Sequence, residues 1–353
     1  MNFIFRVDSS VEIGHGHLMR CLVLAKELSK LNANISFICR DHEGSAHQLI
    51  LDSGFELHLL PGKRIDFPSN DYKDWLGSSQ KEDVELCNQI MSGLNIDHII
   101  VDHYSIDIEW ESRAICQNLT IIDDLANRKH VCRFLIDQSL VNTKSSYDQL
   151  IKDNYIYIGN ENIILREEFR SCDNWSNSHQ NSIFICMGGS DPKNKTTQIV
   201  RSLKNNTDLM GKIETINIVA GSSFTSRDEL LKEIVDSPID IAIQTNSQEI
   251  SKQMTDSLFS IVSCGTMVLE SCSLGVPTIG IVLADNQAPT AEYLSNKQAI
   301  YSVAMDANID ESLGHIVSSL LSNNGLLDNL SNNALLCVNK YAVKNIAETL
   351  IHV

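Results

Sequence analysis

Short apolar runs alternate with longer amphipathic segments along the whole chain. Strands that are apolar on both faces, separated by amphipathic helices, are typical of parallel sheets built from βαβ units. The first half therefore predicts an open α/β sheet. The predicted strands are 2–7, 34–39, 55–59, 97–101, 119–122 and 133–136, and the predicted helices include 17–31, 44–53, 81–94 and 109–117.

The same pattern restarts at residue 182, where "SIFICMGG" predicts a buried strand that ends in glycines. We expect an α/β fold with two Rossmann-like domains facing each other across a cleft. The expected first domain is 1–160, followed by an Asn/Ser-rich linker at 161–181 and a second domain at 182–353. The last predicted helix, roughly 326–352, is a candidate to return to the first domain. Further strands are predicted near 215–220, 239–243, 258–263 and 277–283, with two helices after residue 308.

Composition narrows the class of partner. The chain has 353 residues, a length that suits two domains, and a net charge of −17 without a basic cluster. A nucleic acid or an anionic membrane surface is therefore not an expected partner, whereas a small molecule is. No apolar stretch is long enough to span a bilayer. The sequence does not indicate the oligomeric state.

The ten cysteines are scattered, and Arg6 and Asp8 interrupt the apolar start that a secretory leader would need. We therefore expect reduced thiols and a cytoplasmic protein. Cys264 and Cys272 give the nearest metal-like spacing, which is far wider than that of a zinc knuckle, so no metal site is predicted.

The first loop with candidate chemistry is "EIGHGHLMRC" (12–21), directly behind the first predicted strand. Glycines permit positive φ and close approach to a ligand, and a helix N-terminus favours a neutral imidazole. We predict that His17 is a general base, with His15 the weaker candidate. Gly14, Gly16 and Arg20 are assigned to substrate binding. The alternative is that His17 merely caps the turn.

The second loop, "CMGGSDPKNKT" (186–196), joins a strand to a helix whose first turn suits Pro192. Backbone amides of Gly188, Gly189 and Ser190 at a helix N-terminus would form an anion cradle. The loop lacks the ending of a P-loop and the third glycine of a dinucleotide fingerprint, so no ATP or NAD cofactor is predicted. A tight turn in which Asp191 caps the helix fits the same residues.

Two further strand-to-helix turns carry polar groups. In "SIVSCGTMVLESCSLGVP" (260–277), Gly265 and Thr266 would face a phosphate, and Glu270 shares the helix face of Thr266 and could accept both ribose hydroxyls. The alternative is a Glu270 held by a neighbouring helix. In "VLADNQAPTAEYL" (282–294), the amides of Asn286 and Gln287 suit a sugar or a water, or else cap a turn. Together these loops predict a nucleotide-sugar ligand.

The same segments carry a resemblance that runs in order from residue 1 to about residue 300. The chain resembles the UDP-2,4-diacetamido-2,4,6-trideoxy-β-L-altropyranose hydrolases of pseudaminic acid biosynthesis. The resemblance implies the two-domain fold of inverting nucleotide-sugar glycosyltransferases (GT-B type), similar in its second half to the lipid II synthase, with no metal. The additional matching segments are "FRVDSSVEIGHGHLMRCLVLA", "DWLGSSQKED", "VDHYSIDIEWE", "IIDDLANRKHVCRFLIDQ" and "ILREEF".

The resemblance also implies roles for individual residues. His17 matches the catalytic base, Tyr104 and Asn286 match residues that hold the attacking water, and Glu270 matches the ribose-binding carboxylate. Arg133 departs from the pattern, which has an acidic residue there, and this leaves the exact sugar open. The pyrophosphate-facing turns match Gly188, Gly189, Ser190, Gly265 and Thr266.

The implied activity is metal-independent release of UDP from the UDP-sugar by water, with inversion at the anomeric carbon. A nucleoside diphosphate is already a good leaving group, so one base and an anion cradle suffice, unlike the two carboxylates of ordinary glycosidases. The alternatives are an inverting UDP-sugar glycosyltransferase of the same fold, a hydrolysing nucleotide-sugar epimerase and a non-catalytic nucleotide-sugar-binding protein.

Overall fold

The computed structural model describes residues 1–62, 72–116, 118–151, 155–178, 181–189, 191, 193–221, 224–245, 247, 249–304 and 309–352. The chain forms two compact units. The first unit comprises Met1–Leu165 and Tyr341–Val353, and the second comprises Arg166–Lys340.

The first unit is built around one sheet, in the order β3-β2-β1-β4-β5-β6-β7. Its pairings between strands are all parallel in the described residues. Within that part of the chain, its strands are β1 (Asn2–Val7), β2 (Asn34–Arg40), β3 (Glu56–Leu60), β4 (His98–Asp102), β5 (Leu119–Ile122), β6 (Phe134–Asp137) and β7 (Tyr155–Ile158).

Helices of the first unit follow from the spacing of apolar residues. In the longest, Leu18, Leu22 and Leu28 lie on the buried side of the helix. The side chain of Ser79 accepts a hydrogen bond from the Glu82 amide and so caps another helix. The helices before residue 165 are α1 (Gly16–Lys30), α2 (Gln48–Asp52), α3 (Gln80–Ser92) and α4 (Ile108–Glu111).

A buried ion network fixes the end of β1, from which the candidate loop departs. The Arg6 guanidinium binds Asp8 at 2.6 Å and Asp83 at 2.8 Å, and Asp8 also accepts from the backbone amide of Arg40 at 2.7 Å. Burial opposes ionisation of Asp8, but the charge of Arg6 more than offsets it and holds the pKa of that carboxyl well below its usual range. The network ties the ends of β1 and β2 to α3.

The second unit repeats the plan around a second sheet, ordered β10-β9-β8-β11-β12-β13 and parallel at every described pairing. Its described strands are β8 (Ser182–Cys186), β9 (Thr215–Ala220), β10 (Asp240–Thr245), β11 (Phe259–Ser263), β12 (Thr278–Val282) and β13 (Tyr301–Ala304). Its described helices are α5 (Glu167–Ser171), α6 (Lys195–Lys204), α7 (Arg227–Ile234), α8 (Ile250–Thr255), α9 (Thr266–Leu274), α10 (Ala288–Asn296), α11 (Ile309–Ser322) and α12 (Asn324–Leu335).

The α/β class with two Rossmann-like units is confirmed, and each predicted strand has a counterpart. The sequence missed β7 and β13, which are four-residue edge strands. The single helix predicted at 326–352 is wrong, because it is divided into α12 and a separate helix, α13 (Ala342–Ile351). The chain leaves the second unit between these two helices, and α13 packs on α1 in the first unit.

The segment expected as a linker, 161–181, is packed over much of its length. Phe169 is fully buried, and the indole nitrogen of Trp175 donates to the Ser257 carbonyl at 2.8 Å. The division between the units falls at 165/166 and again at 340/341. In the described residues, no helix combines the length and the apolar character needed to cross a bilayer.

Candidate active site

In each unit the candidate residues lie where strand order reverses. Strands β1 and β4 are neighbours in the first sheet, and β8 and β11 are neighbours in the second. Ligands of open α/β sheets bind beyond the carboxyl ends of strands at this position. In the first unit, the loop after β1 leads to His17, and the end of β4 provides Asp102 and Tyr104.

His17 is held by a carboxylate that the sequence analysis did not single out. It is the second residue of α1, is 9% exposed, and its Nδ1 lies 2.6 Å from Oδ1 of Asp102. A carboxylate oxygen can only accept, so this bond requires the hydrogen on Nδ1. The lone pair then lies on Nε2, the arrangement of a general base oriented by an acid.

Arg20 holds the same carboxylate from the other side. Its Nε donates to Oδ2 of Asp102 at 2.6 Å and its Nη2 donates to Oδ1 at 2.7 Å, while its Nη1 donates to Asp124 at 2.9 Å. Burial opposes ionisation of Asp102, but Arg20 and His17 outweigh it and hold the pKa of Asp102 well below its usual range. Arg20 is only 6% exposed, so the structure places this predicted substrate-binding residue in ion pairs that orient the base.

Tyr104 lies beside the base. Its ring meets the His17 ring edge to face, with 4.5 Å between centroids, and its hydroxyl donates to Oδ1 of Asp124 at 2.5 Å. Burial, and then the charge of Asp124, raise the pKa of Tyr104 well above its usual range, so the phenol keeps its hydrogen. Trp75 stacks against Tyr104 at 5.9 Å and presents an aromatic wall next to the imidazole.

The two glycines of the loop after β1, Gly14 and Gly16, differ in backbone conformation. Gly14 has φ of +73°, and its amide donates to the Ser10 carbonyl at 3.0 Å in a tight turn. Gly16 is the first residue of α1 and its φ is not positive, so the expectation that it needs glycine's backbone freedom is wrong. His15 is the N-cap residue, and its Nε2 lies 3.3 Å from the Gly44 carbonyl, so it does not join the Asp102 pair.

In the second unit, Gly188 after β8 has a positive φ and Gly189 makes a close backbone contact. Gly188 has φ of +93°, and a Cβ built on it would lie 3.8 Å from the Ser263 hydroxyl at the end of β11. A Cβ on Gly221 would lie 2.1 Å from the Gly189 carbonyl oxygen, so the two backbones touch. Ser190, the third predicted member of this turn, and Pro192 lie outside the described residues.

The N-terminus of α6 already has an anion. The Asp191 carboxylate accepts from the amides of Lys195 and Thr196, both at 2.8 Å. The prediction that this helix offers its first amides to a ligand is therefore wrong, since the helix-cap alternative describes them. Among the described residues of this loop, a cradle rests on the backbone of Gly188 and Gly189.

The N-terminus of α9 is arranged differently. Its N-cap is Gly265, which has no side chain to cap the helix, and Thr266 is partly exposed in the first turn. The Nε2 of Gln287 lies 3.6 Å from the position of a Cβ on Gly265, and its Oε1 accepts from the Leu283 amide at 2.9 Å. The structure thus brings Gly265 and Gln287 together and aims a fixed amide at the start of this helix.

Glu270 is held by an arginine before α5. Both carboxylate oxygens accept from Arg166, at 2.6 and 2.8 Å, and Glu270 is 4% exposed. Arg166 also binds Glu168 at 2.8 Å. Burial disfavours the charged guanidinium, but the neighbouring carboxylates outweigh it and raise the pKa of Arg166 above its usual range. A carboxylate has about four lone-pair positions, so two remain for other donors.

Two predicted residues remain, Asn286 and Arg133. Asn286 is exposed on a short turn before α10, in the second unit. Arg133 lies at the amino end of β6, the edge of the parallel sheet opposite to His17, and donates to Asn118 at 2.8 Å. Within the described residues, no group of three His, Cys, Asp or Glu side chains could hold a metal ion.

Sequence reasoning missed Asp102, Asp124, Trp75 and Arg166. The sequence gives an indication of Asp102 and Asp124, because each ends a segment that begins with an apolar strand run, "HIIVD" and "LTIIDD" respectively. Trp75 and Arg166 lie in two segments that carry the family resemblance, "DWLGSSQKED" and "ILREEF", but their places beside Tyr104 and Glu270 depend on tertiary packing.

The chain is 28% identical to the UDP-2,4-diacetamido-2,4,6-trideoxy-β-L-altropyranose hydrolase of Campylobacter jejuni over 302 residues, which are 84% of this chain and 97% of that protein. It is also 28% identical to an uncharacterized protein of Methanocaldococcus jannaschii over 303 residues, which are 81% of this chain. The match spans only 56% of that archaeal protein. No protein-family model matches the chain.

Among solved structures, MurG of Acinetobacter baumannii aligns with a TM-score of 0.70 and 14% identity, covering 100% of both chains. At this identity the alignment shows a shared fold, which is the GT-B type that the resemblance implied. The resemblance drawn from the motifs is confirmed by the Campylobacter relative.

Proposed function

We propose that this chain, which resembles the UDP-2,4-diacetamido-2,4,6-trideoxy-β-L-altropyranose hydrolases, is itself a hydrolase that releases UDP from that sugar nucleotide. In this proposal water attacks the anomeric carbon, the configuration inverts, and no metal takes part. The step would belong to pseudaminic acid biosynthesis. The 28% identity to the named hydrolase supports the substrate class.

The observation that carries the proposal is the bond between His17 and Asp102. It leaves Nε2 as an acceptor at the carboxyl edge of the first sheet, fixes the ring, and places a negative charge behind it. When the base takes a proton, that carboxylate stabilises the imidazolium. A non-catalytic sugar-nucleotide-binding protein has no need for such a pair.

The reaction follows from this geometry. Nε2 of His17 accepts a proton from water as the water oxygen bonds to the anomeric carbon. The bond between that carbon and the phosphate oxygen breaks, and UDP leaves with the electron pair. The products are UDP, the free sugar and one proton, which the imidazolium returns to solvent. Asn286 is proposed to hold the same water by its amide.

The second unit is proposed to bind UDP. Backbone amides at Gly188 and Gly189 and the N-terminus of α9 at Gly265 and Thr266 would neutralise the leaving pyrophosphate. The Gln287 amide would donate to a phosphate or sugar oxygen, and Gly14 and Gly16 would let the loop approach the sugar closely. Glu270 would accept from the ribose hydroxyls with the lone pairs that Arg166 does not use.

The test is UDP release from a panel of UDP-sugars, with and without an added sugar acceptor. We expect His17→Ala to lower turnover by about 10²–10⁴-fold while UDP binding stays within about tenfold. His15→Ala is the matched control, because His15 lies two residues away and contacts Gly44 and not Asp102. Near-normal turnover in His17→Ala with a loss in His15→Ala would contradict the assignment, and release that depends on the acceptor would indicate a glycosyltransferase.

A further inference from the structure

Five side chains form a continuous chain of bonds at the carboxyl edge of the first sheet. His17 bonds to Asp102 at 2.6 Å, Asp102 to Arg20 at 2.6 and 2.7 Å, Arg20 to Asp124 at 2.9 Å, and Asp124 to Tyr104 at 2.5 Å. The Tyr104 ring in turn contacts the His17 ring edge to face. We call this set the base circuit; of its members, the proposed reaction uses only His17 and Asp102.

The hydrogen-bond partners of Tyr104 determine whether its hydroxyl can donate to a ligand or only accept from one. A phenol has one hydrogen, and here it is donated to Oδ1 of Asp124, whose Oδ2 is occupied by Arg20. The remaining lone pairs on the Tyr104 oxygen can only accept. Toward any ligand, Tyr104 is therefore an acceptor and not a donor.

A water that attacks carbon is held in one orientation when both of its hydrogens have acceptors. One accepts the proton that is transferred, which is Nε2 of His17, and the other fixes the second hydrogen so that a lone pair faces the carbon. Tyr104 is suited to the second role, since its ring lies 4.5 Å from the imidazole and its hydroxyl can only accept. A tyrosine that donated to the water would occupy one of its two lone pairs and would leave its second hydrogen without an acceptor.

The neighbouring carboxylate, that of Asp123, binds different groups. The Asp123 side chain is fully buried, binds Arg128 at 2.6 Å and accepts from the Ala126 amide. Asp124 is about 20% exposed, and its carboxylate bonds to Arg20 and Tyr104, both of the base circuit.

We propose that Asp124 is a positioning residue that makes Tyr104 an obligate acceptor for the attacking water, and that Arg20 holds Asp124 in that role. The inference rests on the proposed hydrolase function and adds to it the residue that sets the polarity of the water site. Arg20 then orients both acceptors of the water, His17 through Asp102 and Tyr104 through Asp124.

The substitution Asp124→Asn is an isosteric test of polarity. Arg20 donates at the Oδ2 position, so the amide oxygen of the variant faces Arg20 and the amide NH₂ faces Tyr104. Tyr104 then accepts from Asn and turns its hydrogen toward the water. We expect kcat to fall about 10–100-fold, as for a lost hydrogen bond to a charged group, with KM changed by less than about threefold.

Three comparisons make this result specific to positioning. Tyr104→Phe is expected to lose a similar factor in kcat, and the double variant is expected to lose no more than the larger single loss, because both act through one bond. Asp123→Asn, the matched control, is expected to lower Tm but to keep kcat within about threefold. Additive losses in the double variant, or a loss confined to KM, would overturn the proposal.

A measurement without turnover separates this proposal from the proposed function. In protein labelled with [ζ-¹³C]tyrosine, the NMR signal of Tyr104 is assigned by its absence in Tyr104→Phe, and its shift is followed with pH to give the pKa of the phenol. The charged or titratable groups around Tyr104 are Asp124, Arg20, Asp102, Arg128 and His17. Asp124→Asn is expected to move the Tyr104 pKa back toward its usual range, whereas Asp123→Asn leaves it in place. An unchanged pKa in Asp124→Asn would overturn the assigned bond, whereas a wild type that releases no UDP would overturn only the hydrolase function.

Discussion

Replacing Glu270 by Gln tests whether this carboxylate binds ribose or serves only to hold Arg166. Glu270 gives both oxygens to Arg166 and is buried, so either role is consistent with its surroundings. If two of its lone pairs also accept from the ribose hydroxyls, the variant loses hydrogen bonds to a charged group. UDP should then bind more weakly by about 1.5–3 kcal/mol, or about 10–150-fold.

The same change also costs stability, and its size can be bounded. Breaking a fully buried ion pair costs about 3–5 kcal/mol, but Arg166 keeps its bond to Glu168. The Arg166 side chain is also 23% exposed, so water screens part of the loss. We therefore expect a loss of about 1–3 kcal/mol in the free energy of unfolding.

The assay is UDP affinity by calorimetry, measured well below the Tm of each variant. Glu168→Gln is the matched control, because Glu168 binds the same Arg166 and is not proposed to contact ribose. We expect it to change UDP affinity by less than about threefold. UDP affinity equal to wild type in folded Glu270→Gln would refute the ribose role and leave Glu270 as a structural partner of Arg166.

Three further predictions concern the loop, the pH dependence of stability and the metal. Gly14→Ala should lower stability by about 1–2 kcal/mol, because its φ is +73°, whereas Gly16→Ala should not; equal Tm values would contradict this. Burial opposes the charge of His130, but Asp123 and Glu111 outweigh it and raise the pKa of His130 to about 9. The contribution of His130 to folding stability is therefore complete below the unfolded pKa of about 6.5 and is lost as pH rises to about 9. Chemical denaturation of His130→Gln at a series of pH values should lack that decline in stability, and a decline kept in the variant would contradict the assignment. Burial and Arg133 lower the pKa of His98 to about 4, so the stability that His98 contributes should be lost only as pH falls from about 6.5. EDTA should leave UDP release unchanged, and a lost rate that Mg²⁺ or Zn²⁺ restores would contradict a mechanism based on His17 alone.

The fold could be predicted from the sequence because parallel strands buried on both faces give unbroken apolar runs. In β1, Phe3 and Phe5 face one core cluster and Ile4 the other, so nearly every position is apolar. The four-residue edge strands β7 and β13 were missed, and most of their side chains are only partly buried or exposed. The end of the chain was misread as one helix, because α12 and α13 are both amphipathic and the crossing between units leaves no periodic signal.

The candidate site could be predicted only as far as strand ends. The rule that ligands bind there finds His17, on the loop and helix after β1, whereas Tyr104, two residues after β4, was assigned only through the family resemblance. Their partners could not be assigned, because the His17–Asp102 bond joins residues 85 positions apart and depends on the pairing of β1 with β4. The role of Arg20 could not be predicted for the same reason. Its position near a candidate base suggested substrate binding, whereas the structure pairs it with Asp102 and Asp124.

Turn chemistry was the other source of error. A Gly-Gly-Ser turn before a helix predicts an anion site, but the Asp191 side chain satisfies the first amides of α6 itself. Likewise, two glycines in one loop looked equivalent, and only Gly14 has a backbone that requires glycine. Both distinctions depend on individual φ values and side-chain directions, which sequence spacing does not encode.

The central claim is that water attacks the anomeric carbon with His17 as the base, and oxygen labelling tests it most directly. The reaction is run in H₂¹⁸O and stopped early, UDP is weighed by mass spectrometry, and the first sugar anomer is identified by NMR. We expect unlabelled UDP, one ¹⁸O atom in the released sugar and an inverted anomer, with almost no product from His17→Ala. Label in the β-phosphate of UDP, or a first product of retained configuration, would contradict the account.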